Sequence, residues 1–230
     1  MKVYKHIFFD LDRTLWDFNS NSREALTDIF IELKLEQYFS SAEQFITLYH
    51  KNNENLFEAY RHGKLKKETL RALRFDLTLR DVNTDNPELA RIIGGLYVKL
   101  STEKTILFPY TIEILDYLFP KYSLYILTNG FNETQFNKLK NAGLSPYFSK
   151  VFTSETTGFT KPHHNIFRMA INSVNASKKE CLMIGDDFEV DILGARSFGI
   201  DQVFFNSGNL IFKEKASYEI KSLIELKNIL

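Results

Sequence analysis

The run Val3-Tyr-Lys-His-Ile-Phe-Phe9 is mostly apolar and ends at two aspartates, Asp10 and Asp12. A short apolar run of this kind predicts a buried strand at the start of the chain. From about 19 to 104 the pattern is helical only. Phe45, Leu48, Tyr49, Leu56 and Tyr60 share one face, Leu70, Leu73 and Leu77 form a second stripe, and Leu89, Ile92, Ile93, Leu96 and Leu100 a third. Asn21 with Glu24 and Ser41 with Gln44 resemble capping boxes, and Pro87 suits a first helical position. Gly94-Gly95 weakens the third stripe by about 1 kcal/mol per Gly relative to Ala. From about 106 onward, strand candidates Ser123–Leu127, Lys150–Thr153, Cys181–Ile184 and Gln202–Phe205 alternate with helical stretches near 132–142, 163–174 and 189–198. Gly143 and Gly199 stand where helices end. The expectation is an α/β fold. A Rossmann-like parallel sheet covered on both faces would use residues 1–16 and 106–230, and an all-helical subdomain, 17–105, would be inserted after the first strand.

Composition narrows the partners. Hydrophobic residues make up 44% of the 230, enough for a packed core. Lys+Arg and Asp+Glu are equal at 29 each, which disfavours a nucleic-acid polymer as partner. Cys181 is the only cysteine, so an intrachain disulfide is excluded and a reducing compartment is expected; its place in an apolar strand makes it an inert core residue. No run approaches the roughly 18 apolar residues of a membrane span, and the start of the chain lacks the apolar segment of a secretory signal. A soluble cytoplasmic protein, monomeric or weakly dimeric, is the expectation. The five His residues are not at zinc-ligand spacings, and His163 and His164 read as a helix start.

Chemistry enters at the carboxyl ends of the strands, where open α/β sheets bind ligands. Those ends carry Asp10, Asp12 and Thr14; Thr128, Asn129 and Gly130; and Asp186 and Asp187, with Asp191 beyond. Lys161-Pro162 lies in a loop before a helix. At an effective dielectric of about 20, two like charges 4 Å apart repel by roughly 4 kcal/mol. Asp10, Asp12 and Asp186 therefore converge only around a cation, and carboxylates with water are what Mg2+ prefers. Thr128, the amides near Asn129-Gly130 and the Lys161 ammonium together make a phosphate cradle. Metal, phosphate site and a free carboxylate point to phosphoryl transfer.

The four motifs Asp10-x-Asp12-x-Thr14, Thr128, Lys161-Pro162 and Gly185-Asp186-x4-Asp191 occur in the order found in the haloacid dehalogenase-like hydrolase superfamily, which the chain resembles across its core. The insertion at 17–105 is similar to that superfamily's C1 cap. The run Thr128-Asn-Gly-Phe131, with Lys161-Pro162 and Gly185-Asp-Asp187 through Asp191-Ile-Leu-Gly194, resembles the pyrimidine nucleoside 5'-monophosphatase subgroup. The resemblance implies Asp10 as the nucleophile that forms an aspartyl-phosphate and Asp12 as general acid, then base. It implies Mg2+ held by Asp10, Asp186 and the Asp12 backbone carbonyl, phosphoryl oxygens held by Thr128 and Lys161, and Asp191 orienting Lys161 or a metal-bound water. Asp187 caps the following helix or touches the metal's water shell. Arg13 departs from the Gly or small or polar residue usual between Asp12 and Thr14; it would add phosphate affinity or pair with an acid such as Asp17, and it is not assigned a catalytic role. Trp16 and Phe18, where the chain leaves the core, are either core or a substrate-facing flap.

The expected function is hydrolysis of a small phosphate monoester, with a pyrimidine nucleoside 5'-monophosphate as substrate. Alternatives are a sugar-phosphate phosphatase, a phosphomutase, which shares the chemistry but must exclude water between transfers, and a catalytically silent binding module on the same fold.

Overall fold

The computed structural model describes residues 3–230. The chain divides into two compact units, Met1–Phe18 with Thr105–Leu230, and Asn19–Lys104.

In the first unit, strands β1 (His6–Phe9), β2 (Ser123–Leu127), β3 (Lys150–Phe152), β4 (Cys181–Gly185), β5 (Asp201–Phe205) and β6 (Tyr218–Ile220) form one sheet in the order β3-β2-β1-β4-β5-β6. Every pairing is parallel, with Phe9 level with Ile126 on one side and Ile184 on the other. The central strands β1, β2 and β4 are apolar past their first residue because both faces are covered. Ile7, Phe9, Ile126, Ile184 and Val203 pack on one face; Phe8, Tyr125, Leu127, Cys181 and Met183 pack on the other. The strand order reverses between β1 and β4, and the carboxyl ends at such a reversal are where a doubly wound sheet opens a crevice. Asp10 and Asp12 follow β1 there, and Asp186 follows β4.

The predicted strands and helices are found, with shifted ends. The first strand is shorter than 3–9, since Val3 is 70% exposed. Thr153 leaves the third strand to cap the short helix that follows it. The helix expected at 189–198 is a π-helical turn, Phe188–Leu193, followed by a separate α-helix, Gly194–Phe198. Helix Thr111–Leu118, helix Ser154–Thr157 and the edge strand β6 were not predicted. Gly143 and Gly199 both take positive φ, 69° and 92°, at helix ends.

The second unit holds the helices α1 (Phe18–Glu32, begun in the first unit), α2 (Ala42–Arg61), α3 (Lys67–Arg80) and α4 (Pro87–Glu103). Its core stacks Phe45, Tyr49, Phe75 and Tyr97, with Tyr49 and Phe75 centroids 4.9 Å apart. Two of its buried polar side chains are matched: Ser22 bonds Tyr97 at 2.9 Å, and Asn52 donates to Asp81 at 3.0 Å. Ser41 caps α2 and Asn86 caps α4 ahead of Pro87. Asn21 does not start a helix: it is buried inside α1, which begins three residues earlier. On α3 the inward face is Leu70, Arg74, Phe75, Thr78 and Leu79, so Leu73 and Leu77 are only partly buried.

Candidate active site

Lys161 is the hub of the crevice. Its ammonium, 1% exposed, lies 2.6 Å from Asp10 Oδ1 and 2.6 Å from Asp191 Oδ1. Asp10 is placed by β1, its backbone amide donating to Ile184 O of β4 at 2.9 Å. Asp191 sits on the π-helical turn beneath Gly185, where a Cβ would collide with its carboxyl. Asp186 accepts from Thr14 Oγ1 at 3.1 Å. Oxygens of Asp10, Asp186 and Asp191 lie within 4.8 Å of one another, a set that could hold a metal ion.

The charges do not balance within this group. Burial raises the Asp10 carboxyl above the usual range, with Lys161 opposing. Asp191 is likewise raised by burial against the pull of Lys161. Asp186 is pushed up to about 7 by burial and then by the Asp10 charge, while the Arg13 guanidinium works the other way. Burial opposes the Lys161 ammonium, but Asp10 and Asp191 overcome it and raise the lysine. One ammonium among two buried carboxyls and the half-buried Asp186 leaves negative charge that a divalent cation would neutralise. The donor set, carboxylate oxygens beside solvent, suits a hard oxygen-seeking ion.

The remaining predicted residues fall as follows. Thr128 is buried and its Oγ1 accepts from the Gly130 amide at 3.1 Å, so the hydroxyl proton is left to donate. The Gly130 amide is thereby turned to Thr128 rather than to an open cradle. Asn129 differs from expectation in its side chain, which is clipped to Lys161: Nδ2 donates to Lys161 O at 2.9 Å and Oδ1 accepts from Lys161 N at 2.7 Å. Two polar contacts thus tie the end of β2 to the lysine loop. Asp187 caps the π-helical turn, accepting from Glu189 N and Val190 N at 3.1 and 3.0 Å. His163 caps the helix His164–Ser173 through Nδ1. Cys181 is buried in β4, where burial pushes its thiol up to about 12. Arg13 adopts a left-handed φ of 68° and lays its guanidinium 5.1 Å from the Phe18 ring centre. Trp16 is fully buried, so it is not a flap.

Two residues of the site were missed by the sequence reading. The helix Asn132–Asn141, which follows β2, sends Lys138 and Gln135 to Asp12. Lys138 Nζ is 2.5 Å from Asp12 Oδ1, and Gln135 Nε2 donates to Oδ2 at 3.0 Å. The lysine crosses the face of Trp16, 3.9 Å from the ring centre. The sequence signal was there in one form only: a Gln and a Lys three apart, on one face of the helix that begins after the Thr128 turn.

Comparison with known proteins decides the family. The profile of the haloacid dehalogenase-like hydrolases matches residues 4–199. The chain belongs to that family. It is 29% identical to the HAD-hydrolase YfnB of Bacillus subtilis, over 100% of this chain and 97% of the relative. A crystal structure of YfnB bound to magnesium superposes with a TM-score of 0.89, covering 99% of each chain. The chain is 30% identical to the pyrimidine 5'-nucleotidase PynA of Streptococcus pneumoniae, over 99% of this chain and 97% of the relative. It is 31% identical to a glyceraldehyde 3-phosphate phosphatase of Pyrococcus furiosus, over 100% and 94%. The protein is thus a haloacid dehalogenase-family phosphatase, a phosphoric monoester hydrolase whose relatives act on small phosphorylated compounds. No helix among the described residues is long and apolar enough to cross a membrane.

Proposed function

We propose that the protein is a Mg2+-dependent 5'-nucleotidase that hydrolyses pyrimidine nucleoside monophosphates. The observation that carries the hydrolytic part is the Asp10–Lys161–Asp191 ion-paired centre beside Asp186. Asp10 attacks phosphorus, forming a P–O bond as the bond to the nucleoside 5'-oxygen breaks. Asp12 gives the departing oxygen a proton, then takes one from the water that cleaves the aspartyl-phosphate. Lys161 and the Thr128 hydroxyl hold phosphoryl oxygens, and Asp191 keeps Lys161 in place. Asp10, Asp186 and the Asp12 backbone carbonyl would hold Mg2+, which supplies the charge that offsets both the carboxyls and the phosphate. Asp187 serves as a helix cap, and Asn129 as a clip that fixes the lysine loop.

The nucleotide part rests on PynA and on the Thr128-Asn-Gly-Phe131 run. A second reading, a sugar-phosphate phosphatase, is favoured by the equal likeness to the P. furiosus enzyme. A panel of monoesters with Mg2+ separates them. UMP, dUMP and dTMP are expected to have higher kcat/KM than glyceraldehyde 3-phosphate and hexose phosphates; the reverse order would replace the first reading with the second.

A further inference from the structure

We infer that Lys138 and Gln135 are positioning residues that aim the Asp12 carboxyl for proton transfer to the leaving oxygen. The inference rests on the acid role proposed for Asp12. Both Asp12 oxygens are claimed from one helix: Lys138 holds Oδ1 and Gln135 holds Oδ2. Two directional contacts on two oxygens fix both the position and the plane of a carboxyl, which one contact cannot do. Lys138 is 3% exposed and Gln135 2%, and burying an ammonium is costly unless it is matched. Among the described residues the one carboxylate within ion-pair distance of Lys138 is that of Asp12. Its ammonium also lies over the rings of Trp16 and Phe18, at 3.9 and 5.5 Å from their centres.

The frame around the pair is itself held. Trp16 bridges back to Asp12 and across to Leu107, so the ring that supports Lys138 belongs to the same loop as the aspartate. Gly130 leaves the space that Gln135 occupies, since a Cβ there would overlap its amide. Gln135 Oε1 is buried with no hydrogen-bond donor.

Asp12 keeps a quarter of its side chain exposed, so losing Lys138 does not strand a fully buried charge. Lys138→Met keeps the stem over Trp16 and removes only the ammonium; Gln135→Leu removes the second contact. The test compares UMP, whose alkoxide needs a proton to leave, with p-nitrophenyl phosphate, whose phenolate does not. It reads kcat/KM, which reports the steps through departure of the leaving group. Each variant is expected to lose about tenfold or more on UMP and about twofold or less on the aryl ester. Asp12→Asn should show the same bias, and Lys138→Met should add nothing to it. Equal losses on both esters, or a full multiplicative loss in the Asp12→Asn background, would overturn the inference, with thermal melts marking a merely unfolded variant. A wild-type protein inactive on both esters would overturn the phosphatase mechanism and this inference with it. A wild type that prefers hexose phosphates would overturn only the nucleotide assignment; the same comparison on that alkyl ester then supports or refutes the positioning role.

Discussion

Lys161 and Asp10 face each other as a buried pair, yet their removal should have opposite effects on stability. Asp10→Asn takes one carboxyl from a group of three and leaves Lys161 matched by Asp191. Lys161→Met leaves Asp10 and Asp191, 7% and 1% exposed, with no ammonium between them, and breaking a buried pair in this way costs about 3–5 kcal/mol. Both variants should lose phosphatase activity, Asp10→Asn because its amide cannot attack phosphorus. In metal-free buffer only Lys161→Met should melt well below the wild type. A Lys161→Met melting temperature at or above that of Asp10→Asn would refute the hub role. Asp10 was legible in the sequence because charge at the end of an apolar strand is costly and so stands out, and Lys161 because Lys161-Pro162 falls in order among the four motifs. Lys138 and Gln135 were not. In the helix Asn132–Asn141 the pattern runs against polarity: Phe136 is 48% exposed while Lys138 is buried. A lysine on a short polar helix reads as solvated, and only its tertiary partners, the Asp12 carboxyl and the face of Trp16, show it turned inward.

The π-helical turn Phe188–Leu193 does what an α-helical turn at that point was expected to do, with different geometry. Asp187 caps it, and its widened backbone carries Asp191 under the end of β4. Gly185 is required there by close approach, because a Cβ would displace the Asp191 carboxyl that matches Lys161. Gly185→Ala should therefore lower kcat at least about tenfold and lower the melting temperature, as overpacking a filled site costs about 1–3 kcal/mol. Unchanged kcat would show that Asp191 does not act through Lys161. Elements with strong local signals were found from sequence: Pro87 starts α4, and Ser41 caps α2. Two elements without such signals were missed. Helix Thr111–Leu118 starts from Tyr110 in a left-handed conformation with no side-chain cap, and β6 is three residues long at the sheet edge. The Asn21 signal misled because a buried asparagine mid-helix has the same sequence signature as a cap.

At the scale of the whole molecule, the sheet order concentrates like charge at one point, and the fold bears the cost. Asp186 shows it best, with its pKa raised from 3.8 to about 7. An acid raised on folding binds its proton more tightly in the native state, so its contribution to stability is fully present below about pH 4 and is lost as pH rises through about 7. Asp10 and Asp191 are raised in the same direction and add to the trend. A divalent cation competes with those protons and should restore what is lost. The metal-free protein is thus expected to melt at a lower temperature at pH 8 than at pH 6. Added Mg2+ should raise the melting temperature more at pH 8 than at pH 6, because fewer protons then have to be displaced. Asp186→Asn should flatten the metal-free slope between those two values and shrink the Mg2+ increment. An increment of equal size at both pH values, or one retained in full by Asp186→Asn, would mean that the ion stabilises the protein somewhere other than this carboxyl cluster.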